Sequence, residues 1–213
     1  MALSISRETT AGGFSDSELR TFQEAWRTAR CVVLPGFLSP DLLRYVRDEV
    51  RRSGVFQTRR HDASGVEQCM VSGPAVRLLN FLLNDRHVLQ AIAAVTGEPL
   101  TWFLGRVYRL TSGTDEGHDW HDDCDPIRRV GVSINLSEGV FEGGQFELRE
   151  FGSQRIVAQV RNAGEGDCVL FGVSADLEHR VLPVAGSIHR MSHAGWFHTG
   201  PDLKQRLETG MPV

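Results

Sequence analysis

Hydrophobic and polar positions change rhythm once along this chain, near residue 98. Before that point apolar residues recur at helical spacing. Leu19, Phe22 and Trp26 follow Ser15, which with Glu18 three positions later forms a capping box, so a helix is expected to about Arg30. Cys31–Val32–Val33–Leu34 is a short β-type run stopped by Pro35–Gly36. Ser39–Pro40 opens a second helix, with proline in its favoured first turn, and Leu42, Leu43, Val46 and Val50 stripe it as far as Gly54. Residues 55–71, with Arg59, Arg60 and His61, read as a loop or irregular strand near the surface. Two short helices are expected over about 74–83 and 86–96, divided by Asn84–Asp85 and ended by Gly97.

From Leu100 the apolar runs shorten and take β character. They are Trp102–Leu104, Val107–Leu110, Arg129–Leu136, Gln145–Leu148, Ile156–Val160, Cys168–Phe171, His179–Val184 and Met191–Phe197. Gly, Asp or Pro punctuate them at fairly even intervals, the signature of a barrel or sandwich. The expected fold is therefore mainly β with a helical buttress (α+β), a jelly roll of roughly eight strands. No repeat or low-complexity linker interrupts the 213 residues, so they read as one domain. Its parts are a loose arm over 1–14, helical support over 15–97, the β core over 98–198 and a tail over 199–213.

Composition narrows the classes. Forty-one per cent hydrophobic and 23 % charged residues fit a globular chain with a sizeable core. A formal charge of −4 offers no attraction to nucleic acid or an anionic membrane, so neither is an expected partner. No apolar run approaches the ~20 residues that span a bilayer, and Met1–Arg7 lacks a signal-peptide pattern. Cys31, Cys69, Cys124 and Cys168 are widely spaced, without C-x-x-C, and read as free thiols of a cytoplasmic protein.

The candidate chemistry centres on Gly117–His118–Asp119–Trp120–His121–Asp122–Asp123–Cys124–Asp125. On a strand, residues two apart share a face, so His121 and Asp123 are expected side by side. His179, several strands later, can be rolled back to them. Two imidazoles and one carboxylate on one face of an ion, with the other positions open, suit Fe(II). Arg190 and Ser192 share a face of a later strand, a guanidinium fork beside a hydroxyl suited to gripping a carboxylate. Plainer readings stand beside these. The acidic run 115–125 reads as a solvated loop, with a lid over the site as the alternative. His118 and His121, three apart, are not expected to build a zinc site together. His189 and His193 alternate away from Arg190, as packing or surface residues. Arg106 and Tyr108 share a strand face and line a pocket or form core or rim. Trp120 is wall packing or a substrate platform.

Trp120–His121–Asp122–Asp123, Asn135–Leu136–Ser137, Gly143–Gly144–Gln145, Gly166–Asp167–Cys168–Val169–Leu170–Phe171, His179–Arg180–Val181–Leu182–Pro183–Val184, Arg190, Ser192 and Trp196–Phe197 together resemble the Fe(II)- and 2-oxoglutarate-dependent dioxygenases, most closely their prolyl-4-hydroxylase-like branch. The resemblance covers roughly residues 100–198. It implies a double-stranded β-helix in which His121, Asp123 and His179 hold iron. It also implies that Arg190 with Ser192 binds the distal carboxylate of 2-oxoglutarate, with Asn135 where relatives place a polar cosubstrate-binding residue; Tyr108, from its strand face, is a candidate to line the cosubstrate pocket beside them. The implied reaction consumes O2 and 2-oxoglutarate, releases succinate and CO2, and oxidises a C–H bond of a small molecule, amino acid or peptidyl residue. Asp123, where related halogenases carry a small residue, argues for hydroxylation or another oxidation over halogenation. Two departures stand out, the long acidic segment from Tyr108 to His121 and the three residues between Gly186 and Arg190. A cupin-like jelly roll that binds or isomerises a ligand without 2-oxoglutarate is the alternative. A non-catalytic binding module is a third, and oligomeric state is left open.

Overall fold

The computed structural model describes residues 3–6, 10–11, 13–61, 65–201 and 203–209. Strands β1 (Ser4–Ile5) and β2 (Thr10–Ala11) precede helix α1 (Asp16–Ala29). Strand β3 (Cys31–Leu34) leads to α2 (Pro40–Ser53), then come β4 (Gln57–His61), β5 (Gly65–Met70), α3 (Pro74–Leu83) and α4 (Arg86–Thr96). The β-rich part holds β6 (Trp102–Leu110), β7 (Gly117–His121), β8 (Arg128–Asn135), β9 (Glu142–Gly143) and β10 (Phe146–Glu150). It continues through β11 (Ile156–Val160), β12 (Cys168–Gly172), β13 (Leu177–Val181), β14 (Val184–Ala185) and β15 (Arg190–His198), and α5 (Leu203–Thr209) follows.

One antiparallel path, β11-β10-β13-β7-β5-β6-β15-β8-β12-β3, with β4 paired to β5, makes an 11-stranded sheet. It rolls into two facing layers, β6-β15-β8-β12-β3 and β7-β13-β10-β11, which β5 bridges by pairing with both β6 and β7. This is the jelly roll that the β-type runs predict. Gly143 and Gly144 take the left-handed backbone, φ 69° and 58°, that turns the chain into β10 at little steric cost.

Alternation along the strands divides the interior in two. On β8, Val130, Val132 and Ile134 face the helices, while Gly131, Ser133 and Asn135 face into the roll. The helix side is continuous with Leu42, Leu43, Val46 and Val50 of α2, Leu79 and Leu83 of α3, and Val88 and Ile92 of α4. Each such side chain, fully buried, contributes ~1.5–3 kcal/mol, which is why the helices lie on this layer. Inside the roll, Leu110, Phe141, Phe146, Leu148, Val169, Phe171, Leu177 and Val181 form a second cluster.

The helix expectations agree with the structure. The capping box closes as Ser15 N donates to Glu18 Oε2 at 2.8 Å and Glu18 N donates to Ser15 Oγ at 3.3 Å. Four regions differ. Residues 57–61 and 65–70 are regular paired strands, because their alternation is masked by polar residues on both faces. The arm is anchored: Leu3 and Ile5 are buried, Ile5 N donates to Phe37 O, and Ser39 N donates to Ile5 O. The acidic stretch contains a strand, β7, since Gly117–His121 pairs with both β5 and β13. The tail contains a helix, α5, while residues 210–213 lie outside the described ones. No helix among the described residues is long and apolar enough to cross a membrane.

Candidate metal centre

The roll opens beside its inner apolar cluster into a cavity of about 180 Å³. Its wall brings together six of the seven residues singled out from sequence: His121, Asp123, His179, Arg190, Ser192 and Tyr108. Strand β13 supplies His179, paired directly with His121 at the end of β7. Nε2 of His179 stands 3.4 Å from Asp123 Oδ2, and Nε2 of His121 stands 3.8 Å from the same oxygen. All three ligand atoms lie within 4.8 Å of one another. Metal–donor bonds of ~2.1 Å put neighbouring ligands ~3 Å apart, so a small contraction would seat one ion. Two nitrogen donors and one carboxylate oxygen on one side suit Fe(II), and the cavity keeps the opposite side accessible.

Strand alternation is not what sets this geometry. Asp123 lies beyond the end of β7, and its backbone is left-handed at φ 52°, rare for a residue with a side chain. That conformation turns the carboxylate back towards His121. A bulge precedes it: on β13 two steps separate His179 from Val181, while their partners His121 and His118 are three apart. The extra residue puts His118 on the cavity face with His121, their rings 5.8 Å apart. The two histidines share a strand face, but they do not build a metal site together, in line with the sequence expectation. His118 Nε2 lies 2.8 Å from Glu67 Oε2 of β5, so its partner is a carboxylate rather than an ion held with His121. Trp120 turns outward, packed between the guanidinium groups of Arg149 (3.8 Å) and Arg180 (4.5 Å), and is wall rather than platform.

His121 is prepared as a neutral donor. His121 Nδ1 lies 2.6 Å from the Asp119 carbonyl oxygen, which fixes the proton there and leaves Nε2 its lone pair. Burial, reinforced by the facing His179, lowers the His121 pKa. Burial by itself would raise Asp123, but the hydrogen bond and charge of His179, then His121 and Arg128, outweigh it and hold the carboxyl at about 2. Asp123 is thus ionised at neutral pH. Trp196 Nε1 donates to its Oδ2 at 3.1 Å.

Arg190 is the unbalanced charge. Its guanidinium donates to Ser133 Oγ at 3.1 Å, and no carboxylate among the described residues lies within ion-pair distance. Burial lowers its pKa to about 10, still charged at neutral pH. Ser192 is buried beside it and pairs across the sheet with Tyr108, whose phenol burial pushes up and keeps protonated. Asn135 lies elsewhere. It lines a smaller recess with Ser133 and Arg190, where its amide donates to the Ala163 and Gly164 carbonyls and accepts from Ser137 N. Ser133, two residues earlier on the same face, touches Arg190 instead. The sequence signal for it was its spacing from Asn135 on an alternating strand.

Phe171 closes the floor. Its ring lies 4.6 Å from that of His179 and packs onto Gly131, where a Cβ would overlap it. His193 points the other way, fully buried against Phe103, as its alternation predicts.

Residues 105–198 match the 2OG-Fe(II) oxygenase superfamily. No curated protein matches the chain by sequence. Among solved structures, a Pseudomonas putida prolyl-4-hydroxylase is 23 % identical with a TM-score of 0.66, covering 86 % of this chain and 100 % of its own. A prolyl hydroxylase from Trichoplax adhaerens, in complex with a hypoxia-inducible-factor peptide, is 16 % identical with a TM-score of 0.64, covering 92 % of this chain and 97 % of its own. The epimerase SnoN of nogalamycin biosynthesis, in complex with Fe3+, alpha-ketoglutarate and nogalamycin RO, is 13 % identical with a TM-score of 0.64, covering 86 % and 84 %. At these identities the structural likeness speaks for the fold.

Proposed function

We propose that this chain, whose residues 105–198 match the 2OG-Fe(II) oxygenase superfamily, is an oxygenase of that kind and hydroxylates an unactivated C–H bond of a small polar molecule or a short peptide segment. The single observation that carries the reading is Arg190, a cavity-facing cation with no carboxylate partner among the described residues, beside a two-histidine, one-carboxylate cluster. A metal-binding cupin would need the cluster and not the arginine, so the arginine favours the oxygenase over that alternative.

In this reading His121, Asp123 and His179 hold Fe(II), and Arg190 with Ser192 receives the distal carboxylate of 2-oxoglutarate. When bound, iron and the oxo acid supply the oxidising power: O2 is consumed, the oxo acid leaves as succinate and CO2, and a C–H bond becomes C–OH. The chain's part is positioning and exclusion. A single aspartate leaves a ferrous site net positive, and Arg190 adds a second charge, so the pair selects a dianionic oxo acid. Leu110, Phe146, Phe171 and Val181 keep water from the space between them. Tyr108 presents a protonated hydroxyl towards the same space. Arg106, Glu67 and His118 line the remaining wall and give the substrate side a polar character. Four free cysteines, three of them buried, support a cytoplasmic setting.

Anaerobic titration of Fe(II) with 2-oxoglutarate tests the assignment through its weak visible charge-transfer band. A band in the parent, lost in His121→Ala and weakened in Arg190→Ala, is expected. A folded, iron-loaded parent without the band would overturn the reading.

A further inference from the structure

We infer that Trp196, locked in place by Arg128, is the positioning residue that sets Asp123 as a metal ligand; the inference rests on the proposed role of the His121–Asp123–His179 cluster. Three observations converge on the pair. Asp123 has the only left-handed non-glycine backbone, apart from Arg30, among the described residues. Such a conformation is unfavourable for a side-chain-bearing residue and persists only where its surroundings hold it. Two contacts hold it here. Trp196 Nε1 donates to Asp123 Oδ2 at 3.1 Å, and Arg128 Nη1 donates to the Asp123 carbonyl at 3.3 Å.

The third observation joins these contacts. The Arg128 guanidinium lies 4.0 Å from the centre of the Trp196 ring, so one cation fixes both the indole plane and the Asp123 main chain. Strand register explains how they meet. Trp196 on β15 pairs with Gly131 of β8, and Arg128 starts β8 three residues earlier, a few positions after Asp123. The indole points into the roll on the same strand face as Arg190 and Ser192. One strand thus carries the carboxylate-binding cation at one end and the support of the metal-binding carboxylate at the other.

The hydrogen bond acts on the oxygen that already faces both imidazoles. Oδ2 is the atom 3.4 Å from His179 Nε2 and 3.8 Å from His121 Nε2. Without the indole N–H, the Asp123 carboxylate keeps only its contacts with the two imidazoles, which must themselves turn to the ion, and metal binding must then reorder it. Partners that orient a ligand in this way typically change metal affinity by about 10–100-fold.

Co(II) binding to the metal-free protein, followed by calorimetry and by its visible absorption, tests the inference without any substrate. Trp196→Phe keeps a ring for Arg128 to stack on and removes only the N–H. Its expected result is Co(II) binding weakened about 10–100-fold, with a changed visible spectrum and a near-parental Tm for the metal-free protein. Trp196→His restores a ring N–H, and recovery of part of the affinity is expected. Parental affinity and spectrum in Trp196→Phe would overturn the role of Trp196. If Trp196→Phe does not fold, Arg128→Met, which frees the indole, carries the same expectation of weaker binding, and unchanged binding there overturns the inference. A parent that binds no Co(II) would instead sink the metal reading of the cluster itself.

Discussion

His121 and His179 stand directly opposite one another on the β7–β13 ladder, their ring centroids 4.2 Å apart. Two cations at that separation would repel, and burial with the neighbouring ring lowers the His121 pKa. His121 is therefore a ready donor at neutral pH, placed directly opposite the second imidazole. Replacing either histidine with alanine leaves two donors, and Co(II) or Fe(II) affinity is expected to fall by more than roughly 100-fold. Equilibrium dialysis measures it, and a single-histidine variant with parental affinity would place the metal elsewhere.

Arg190 carries a charge that no carboxylate among the described residues neutralises. Removing it in Arg190→Ala is expected to weaken 2-oxoglutarate by ~3 kcal/mol, about 100-fold, whereas Arg190→Lys keeps the charge and loses the two-pronged grip, about tenfold. The same charge predicts that 2-oxoglutarate raises the Tm of the iron-loaded parent more than that of Arg190→Ala. Equal shifts in the two proteins would show that the oxo acid is held by other groups.

Gly131 and Phe171 make a packing prediction that reaches the metal. Gly131→Ala puts a methyl where the Phe171 ring lies, and that ring supports His179. Overpacking of this kind costs ~1–3 kcal/mol, so denaturant unfolding should show a lower midpoint, and metal binding should weaken with it. Adding Phe171→Leu should recover part of both losses, because the two sites share one clash. Additive losses in the double variant would contradict the coupling.

His193 links stability to pH. It is fully buried, neither ring nitrogen has a hydrogen-bond partner, and burial holds its pKa at about 3, far below the usual 6.5. The unfolded chain takes up this proton near pH 6.5 and the folded chain does not. Its stabilising contribution is therefore complete above about pH 6.5 and lost as pH falls towards 3, by up to ~1.4 kcal/mol per pH unit. Urea unfolding at pH 7 and pH 5 should show the parent losing stability relative to His193→Leu. Parallel losses in the two proteins would mean that His193 is protonated in the fold.

Much of this protein was legible in its residues. The capping box, the Pro and Gly boundaries and the apolar stripes determined the four helices before β6, because these signals act within a few residues of the chain. Short, evenly punctuated apolar runs determined the jelly roll, and residue chemistry alone singled out His121, Asp123, His179 and Arg190. The tertiary structure decided what depends on long-range pairing. The polar alternation of residues 65–70 became a strand because β6 and β7 were there to accept it, and residues 57–61 became one by pairing with residues 65–69 in turn. The bulge that turns His118 inward, the left-handed Asp123 and the indole that holds it arise where β7, β8 and β15 meet. Ser133 rather than Asn135 reaches Arg190 because the Asn135 amide is taken by the turn at 163–164. Local spacing fixes which face a side chain leaves from; only packing between distant strands fixes what it meets there.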